Sequence, residues 1–231
     1  MASTRPPRPM SRRPHAAPLV ASALIAVTAL ALIAYILWPT WQGGPGGDPD
    51  RLPVTVGSTL FNVPPRAIRV RVQRHTGPQE RVDLVFLYPG LGETERPARA
   101  SAATLDEQPT AIDRIFVTLA AHNGALSPED RLATIYPRYL EAQGTRAPDG
   151  LTATAFRDGT PYRNEDLFSA AAPSFAARCS RDAATPGMCL SERRIAGADV
   201  TFRFPRAWLA DWRDLAANLE RLVGLIGPRG Q

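Results

Sequence analysis

The densest run of side chains capable of chemistry is Phe156-Arg-Asp-Gly-Thr-Pro-Tyr-Arg-Asn-Glu-Asp-Leu-Phe168. Asp158, Glu165 and Asp166 supply carboxylates there, while Arg157, Tyr162, Arg163 and Asn164 supply donors. Two carboxylates facing each other across a sugar, one of them protonated, can cleave a glycosidic bond. Asp158 and Glu165 would be that acid and base if the protein were an envelope glycan hydrolase. Against this, Asp-Gly and Thr-Pro are ordinary loop dipeptides, and carboxylates set among arginines on a loop usually form solvated ion pairs. The stretch reads better as a docking loop over 157–166, because Tyr and Arg carry much of the binding energy at protein interfaces. Its polar set is Asp158, Tyr162, Arg163, Glu165 and Asp166.

Other reactive constellations are missing from the sequence, so no catalytic residue and no metal ligand is assigned. There is no Gly-x-Ser-x-Gly elbow, and Gly57-Ser58-Thr59 reads as a turn ahead of a strand. His75 falls in a polar turn; His122, in Ala121-His-Asn-Gly124, follows a strand end but has no second histidine to assist it. All 27 basic residues are Arg. A chain without Lys has no P-loop lysine, Schiff base or Ser-Lys dyad. Two Cys ten apart and three widely spaced His do not make a zinc-finger pattern, and no HExxH or CxxC run occurs. No cofactor is expected.

Cys179 and Cys189 flank Pro186-Gly187, a turn signal able to bring the two thiols together. In an oxidising compartment such a pair closes a structural disulfide, whereas in the cytoplasm it would stay reduced.

The net charge of +5 suggests a nucleic-acid binder until its distribution is read. Arg5, Arg8, Arg12 and Arg13 stand unbalanced in the first fifteen residues, and from Gly43 onward 23 Arg face 22 acids. The basicity belongs to a short tail, which argues against nucleic acid as a partner. Residues 16–42 carry no charge, and Leu19 to Trp38 are almost entirely apolar, long enough to cross a hydrocarbon core. Tyr35, Trp38 and Trp41 mark one end as an aromatic belt, while Arg12 and Arg13 mark the other as cytoplasmic. A cleaved signal peptide is the competing reading, with Ala29-Leu30-Ala31 as its cleavage pattern. That pattern lies inside the apolar run, which favours an uncleaved signal anchor.

The chain then divides into a basic cytoplasmic tail (1–15), a transmembrane signal anchor (16–41), a Gly/Pro linker (42–52), an exported domain (53–227) and a short tail (228–231). Within the domain, Ile68, Val70 and Val72 alternate with Arg69, Arg71 and Gln73, predicting a strand paired in a hairpin with 82–88. Further strands are expected over 54–63, 114–119, 151–156, 175–179, 189–194 and 199–204. Ser127-Pro128-Glu129-Asp130 is a helix start, with Leu132, Ile135 and Tyr136 on one apolar face and Pro137 closing it. Trp208, Trp212, Leu215, Leu219, Leu222 and Ile226 recur at helical spacing and predict a long C-terminal helix packed on the sheet. The fold class is therefore α+β: an N-terminal transmembrane helix, then one exported domain with a mainly antiparallel sheet and a long C-terminal helix.

Phe61-Asn-Val-Pro64, Ile135-Tyr-Pro-Arg-Tyr139, Asp158-Gly-Thr-Pro-Tyr162 and Phe204-Pro-Arg-Ala-Trp-Leu-Ala-Asp-Trp212, taken with the anchor and the Cys179/Cys189 pair, resemble uncharacterised single-pass membrane-anchored envelope proteins of proteobacteria. The resemblance implies a compartment and no activity. The expected protein is a non-catalytic interaction or scaffold module in the inner membrane. Its N-terminus is cytoplasmic, its bulk periplasmic or extracellular, and its partner an envelope protein. The carboxylate hydrolase and a periplasmic ligand-sensing domain are the alternatives.

Overall fold

A computed structural model describes residues 16–41, 51–93 and 112–227, with side chains of the first segment described for 20–35. The expected tails 1–15 and 228–231 and most of the expected linker, 42–50, lie outside the described residues. The chain divides between Gly47 and Asp48 into two compact units.

The first unit is helix α1, Ala16–Trp41, 26 residues long. Val20, Leu24, Ile25, Val27, Leu30, Leu32, Ile33 and Tyr35 are all exposed on it, as the absence of a polar face in the sequence predicts. Thr28 Oγ1 donates to the Leu24 carbonyl at 2.8 Å, so its hydroxyl is satisfied within the helix. Among the described residues no helix is long and apolar enough to cross a membrane. The span expected over 16–41 extends past both ends of the stretch whose side chains are described.

The second unit is α+β. Strands β1 (Leu52–Val56) and β2 (Thr59–Val63) form a hairpin, and β3 (Gly77–Gln79) adds parallel to β1. The main sheet comprises β4 (Arg81–Leu87), β5 (Arg114–Ala121), β6 (Thr145–Arg146), β7 (Thr152–Ala155), β8 (Glu165–Ala170), β9 (Phe175–Ser180), β10 (Met188–Ile195) and β11 (Ala198–Pro205). Its eight strands run in the order β4-β5-β11-β10-β9-β8-β7-β6, and every neighbouring pair is antiparallel. Period-2 alternation sorts the strand residues by face. On β5, Ile115, Val117 and Leu119 are buried; on β11, Val200, Phe202 and Phe204 are buried while Arg203 is exposed.

A single-turn helix α2 (Pro128–Asp130) follows β5. A 3-10 segment, Arg206–Asp211, leads into helix α3, Trp212–Ile226. Trp212, Leu215, Leu219, Leu222 and Ile226 are buried in one core cluster with the inward residues of both sheets. Arg193 on β10 holds Glu220 of α3 at 2.7 Å. Two turns interlock beside this core. Gly57 has φ +61°, and a Cβ placed there would lie 2.4 Å from the Gly197 carbonyl oxygen. Only glycine fits both the backbone and the gap. Thr59 Oγ1 completes the lock, accepting from Gly197 N at 2.8 Å and donating to the Ile195 carbonyl at 3.2 Å.

Three sequence expectations need correction. The alternating segment from Ile68 is not a strand. Ile68 alone bridges Leu84, Arg69 N donates to the Asp83 carbonyl, and the chain then curls into a 3-10 turn over Arg71–Gln73. Val70 and Val72 face solvent, so of this period-2 pattern only Ile68 is buried. The stretch 54–63 is a hairpin turning at Gly57-Ser58 and not one strand. The polar run 157–166 is not all loop, since Glu165 and Asp166 open strand β8.

Candidate functional site

The expected docking residues fall on two faces of β8. Successive side chains on a strand point to opposite sides. Glu165 and Leu167 therefore face one way, and Asp166 and Phe168 the other.

On the Asp166 side, its carboxylate accepts from Arg206 Nη2 at 2.7 Å and from Arg181 Nε at 2.9 Å. Arg206 also stacks over the Phe168 ring at 4.8 Å and donates to the Ser180 carbonyl at 3.2 Å. Asp166 thus closes a structural ion-pair set that ties β8 to the 3-10 segment before α3. It is not part of an exposed docking loop.

On the Glu165 side, the sheet carries a second, smaller core of Tyr136, Phe156 and Leu167. The segment after β5 delivers Tyr136. Ser127 Oγ accepts from Asp130 N at 2.9 Å, capping the helix start as its sequence predicts. The turn then widens into a π segment over Arg131–Ile135 and tightens to 3-10 over Tyr136–Arg138, where Pro137 ends it. Tyr162 comes from the turn before β8. Its ring lies 4.9 Å from Phe156, 5.5 Å from Tyr136 and 5.9 Å from Tyr139, distances at which aromatic rings attract edge-on or tilted. The Arg178 guanidinium, from β9, sits 4.7 Å over the Tyr162 ring and 5.8 Å over Tyr136. Its Nε is 3.1 Å from Glu165 Oε2. The two atoms are buried and not aligned for a hydrogen bond, so charge holds this pair. Burial pushes the Tyr136 phenol upward, with the Arg178 charge opposing it; Tyr136 therefore stays protonated at neutral pH.

The turn itself is fixed by the backbone. Arg157 N donates to the Tyr139 carbonyl at 2.8 Å, Glu165 N to the Tyr162 carbonyl at 2.8 Å, and Thr160 Oγ1 to the Arg157 carbonyl at 2.8 Å. Arg157 Nη2 also donates to the Arg138 carbonyl. Asp158 and Arg163 project outward from this frame, both exposed. The result is a preformed surface of half-buried Tyr162 and Tyr139 with Asp158 and Arg163 at its rim.

Asp158 and Glu165, weighed as an acid–base pair, stand in different surroundings. Glu165 is engaged by Arg178, while Asp158 stands on an exposed turn. A cavity lined by Leu132, Tyr136, Leu167, Arg178, Leu190 and Glu192 measures ≈ 30 Å³, room for about one water molecule. His122 lies beside Arg194. Its Nε2 lies 3.5 Å from Arg194 Nη1, and Arg194 is itself held by Asp199 at 2.7 and 3.2 Å and by the Ala125 carbonyl at 3.2 Å. His75 is exposed, and its Nδ1 meets the Thr76 carbonyl at 3.0 Å. Among the described residues no group of three His, Cys, Asp or Glu is placed to hold a metal.

Cys179 and Cys189 form the expected disulfide, joining adjacent strands with Cα atoms 3.9 Å apart. Sequence reasoning missed Arg178, Phe156 and Tyr139 as members of the surface. The Tyr-Pro-Arg-Tyr run over 136–139 is the one signal that points to it, two tyrosines on a proline-ended turn.

No protein-family model matches the chain, and no curated protein sequence matches it. Among solved structures it is similar to an immunity protein of the Stenotrophomonas maltophilia type IV secretion system. The identity is 15% and the TM-score 0.49, over 75% of this chain and 92% of that chain. A likeness at that level transfers no property of that protein.

Proposed function

We propose that this is a membrane-anchored envelope protein whose exported α+β domain binds another protein and performs no catalysis. The observation that carries the binding reading is the Tyr139–Tyr162–Arg178 surface. Large rigid aromatic rings and an arginine are held in place before any partner arrives, which lowers the ordering cost of association. Glu165 is paired with Arg178 while Asp158 stands on an exposed turn, which weighs against the two serving as acid and base of a glycan hydrolase.

Support for the anchor comes from α1. A helix of 26 residues is about 39 Å long at 1.5 Å per residue, and its apolar side chains stand exposed over 20–35. Exposed leucines and isoleucines on every side suit lipid and not water. The disulfide fits an exported domain. With Arg12 and Arg13 ahead of the helix, the N-terminus stays cytoplasmic, as in the envelope proteins the chain resembles.

The docking reading is tested by placing a photo-crosslinking residue at Arg163, with Arg213 on α3 as the control position. The proposal expects a discrete cross-linked protein from 163 and none from 213. Equal patterns from both positions would remove this face from the account.

A further inference from the structure

The segment misread as a strand has no role in the proposed docking face. Over ten residues, Arg66-Ala-Ile-Arg-Val-Arg-Val-Gln-Arg-His75 carries four arginines and no acid. The fold buries Ala67 and Ile68 but turns Val70 and Val72 outward. Val72 is 79% exposed and Val70 40%, an unusual outcome for valines flanked by folded chain on both sides.

The backbone of the segment is held firmly. Arg74 Nε and Nη2 both donate to the Ile68 carbonyl, at 3.0 and 2.7 Å. Gln73 Nε2 donates to Asp83 Oδ2 at 3.3 Å, and Asp83 N donates to Gln73 Oε1 at 2.9 Å. Arg69 lies 5.0 Å over the Phe116 ring on β5. Phe116 is opposed across the ladder by Arg203 of β11, which is exposed. The Asp83 carboxylate, which holds Gln73 of this segment, is also engaged by Arg81 and Thr118. Arg71 and Arg203 have no side-chain partner among the described residues. Val70 and Val72 are thus exposed on the segment that carries Arg71, whose charge has no side-chain partner among the described residues.

We infer that this face, Arg69, Val70, Arg71, Val72 and Arg203, rests on an anionic phospholipid surface. Arginines attract lipid phosphates, and short apolar side chains between them enter the headgroup boundary. Ten residues separate Trp41 from Leu52, a reach of at most about 36 Å, so a domain tethered by α1 stays close to a bilayer. This inference rests on the anchor proposed above. An acidic protein segment is the competing occupant, but solvent-facing valines at this exposure suit a lipid boundary better than a purely acidic chain.

The test uses the full chain in nanodiscs of phosphatidylcholine alone or of phosphatidylcholine mixed with phosphatidylglycerol. Amide exchange of 66–75 and of 16–41 is read from the same digest. Exchange over 66–75 should slow on the order of fivefold in the anionic discs, about one arginine's worth of surface attraction. The slowing should vanish near 1 M salt, where the screening length is about 3 Å. It should also vanish in the Arg69→Glu, Arg71→Glu double variant. Equal exchange of 66–75 in both discs would overturn the inference. So would slowing on addition of polyglutamate to neutral discs with none in anionic discs, which would assign the face to an acidic protein. Free exchange of 16–41 in both discs would overturn the anchor instead, leaving the 66–75 comparison to decide the surface by itself.

Discussion

Cys179 and Cys189 sit directly opposite each other on β9 and β10, and only one more register pair, Leu190 with Arg178, continues that ladder. The flanking ladders are longer, with eight pairs joining β10 to β11 and six joining β8 to β9. The disulfide therefore staples a seam of two register pairs, between the β4-β5-β11-β10 half and the β9-β8-β7-β6 half. The proposed docking face is built on the second half and leans on the first through segment 127–140.

Replacing both cysteines with alanine should cost about 2–3 kcal/mol of stability, from the loop they close. Exchange should rise first over 178–179 and 189–190, where two register pairs alone hold the seam. Urea unfolding with amide exchange checks this. An unchanged midpoint would show that the staple is redundant.

Asp166→Ala should destabilise the domain by about 1–3 kcal/mol, because it leaves Arg206 and Arg181 without their shared carboxylate. Thermal unfolding reads the loss. Asp158→Ala, on the exposed turn, should shift the midpoint hardly at all.

The two expectations for Asp158 and Asp166 show what a linear sequence conceals. Eight positions separate them in one polar run, yet one stands in solvent and the other is locked between arginines forty and fifteen residues away. Nothing local marks Asp166, since its partners arrive by strand pairing. The opposite error occurred at Ile68. Its alternation with Arg69, Val70 and Arg71 is ideal for a strand, but among the described residues no neighbouring strand lies along it beyond the single Leu84 bridge. The elements read correctly were those with long apolar periodicity, such as α3 and β11, where burial of one face leaves one solution. The Cys179–Cys189 bond was legible because a Pro-Gly turn lay between two strand signals. Arg178 was not, because its aromatic partners come from 136 and 162.

Acid should weaken the domain through Asp83. Burial raises the cost of its charge, but hydrogen bonds from Arg81, Thr118 and Gln73 outweigh that and hold its carboxyl below the ordinary value of 3.8. A carboxyl lowered in the folded state adds stability above its unfolded pKa and loses it as pH falls through the folded one. Urea midpoints should therefore drop below about pH 4, and Asp83→Asn should flatten that drop while lowering stability at neutral pH. Much of the effect is screened, since Arg81 is 61% exposed. A wild-type and variant with parallel acid profiles would contradict it.

Gly57→Ala should destabilise by about 1–3 kcal/mol, from the positive φ and the close approach to Gly197. Gly77→Ala is the informative comparison. Its φ is +95°, but no atom lies within 4 Å of the added Cβ, so the difference between the two variants isolates the interlock of the turns.

The most direct test of the whole account is co-purification of the tagged full chain from its native membrane after cross-linking. It would be run beside the Asp158→Arg, Arg163→Glu variant, whose changes lie on exposed positions and leave the fold intact. The account predicts one envelope protein recovered in near-stoichiometric amount with the wild type and lost with the variant, while both chains stay in the membrane fraction. Recovery of the wild-type chain alone, or equal capture by both, would contradict it.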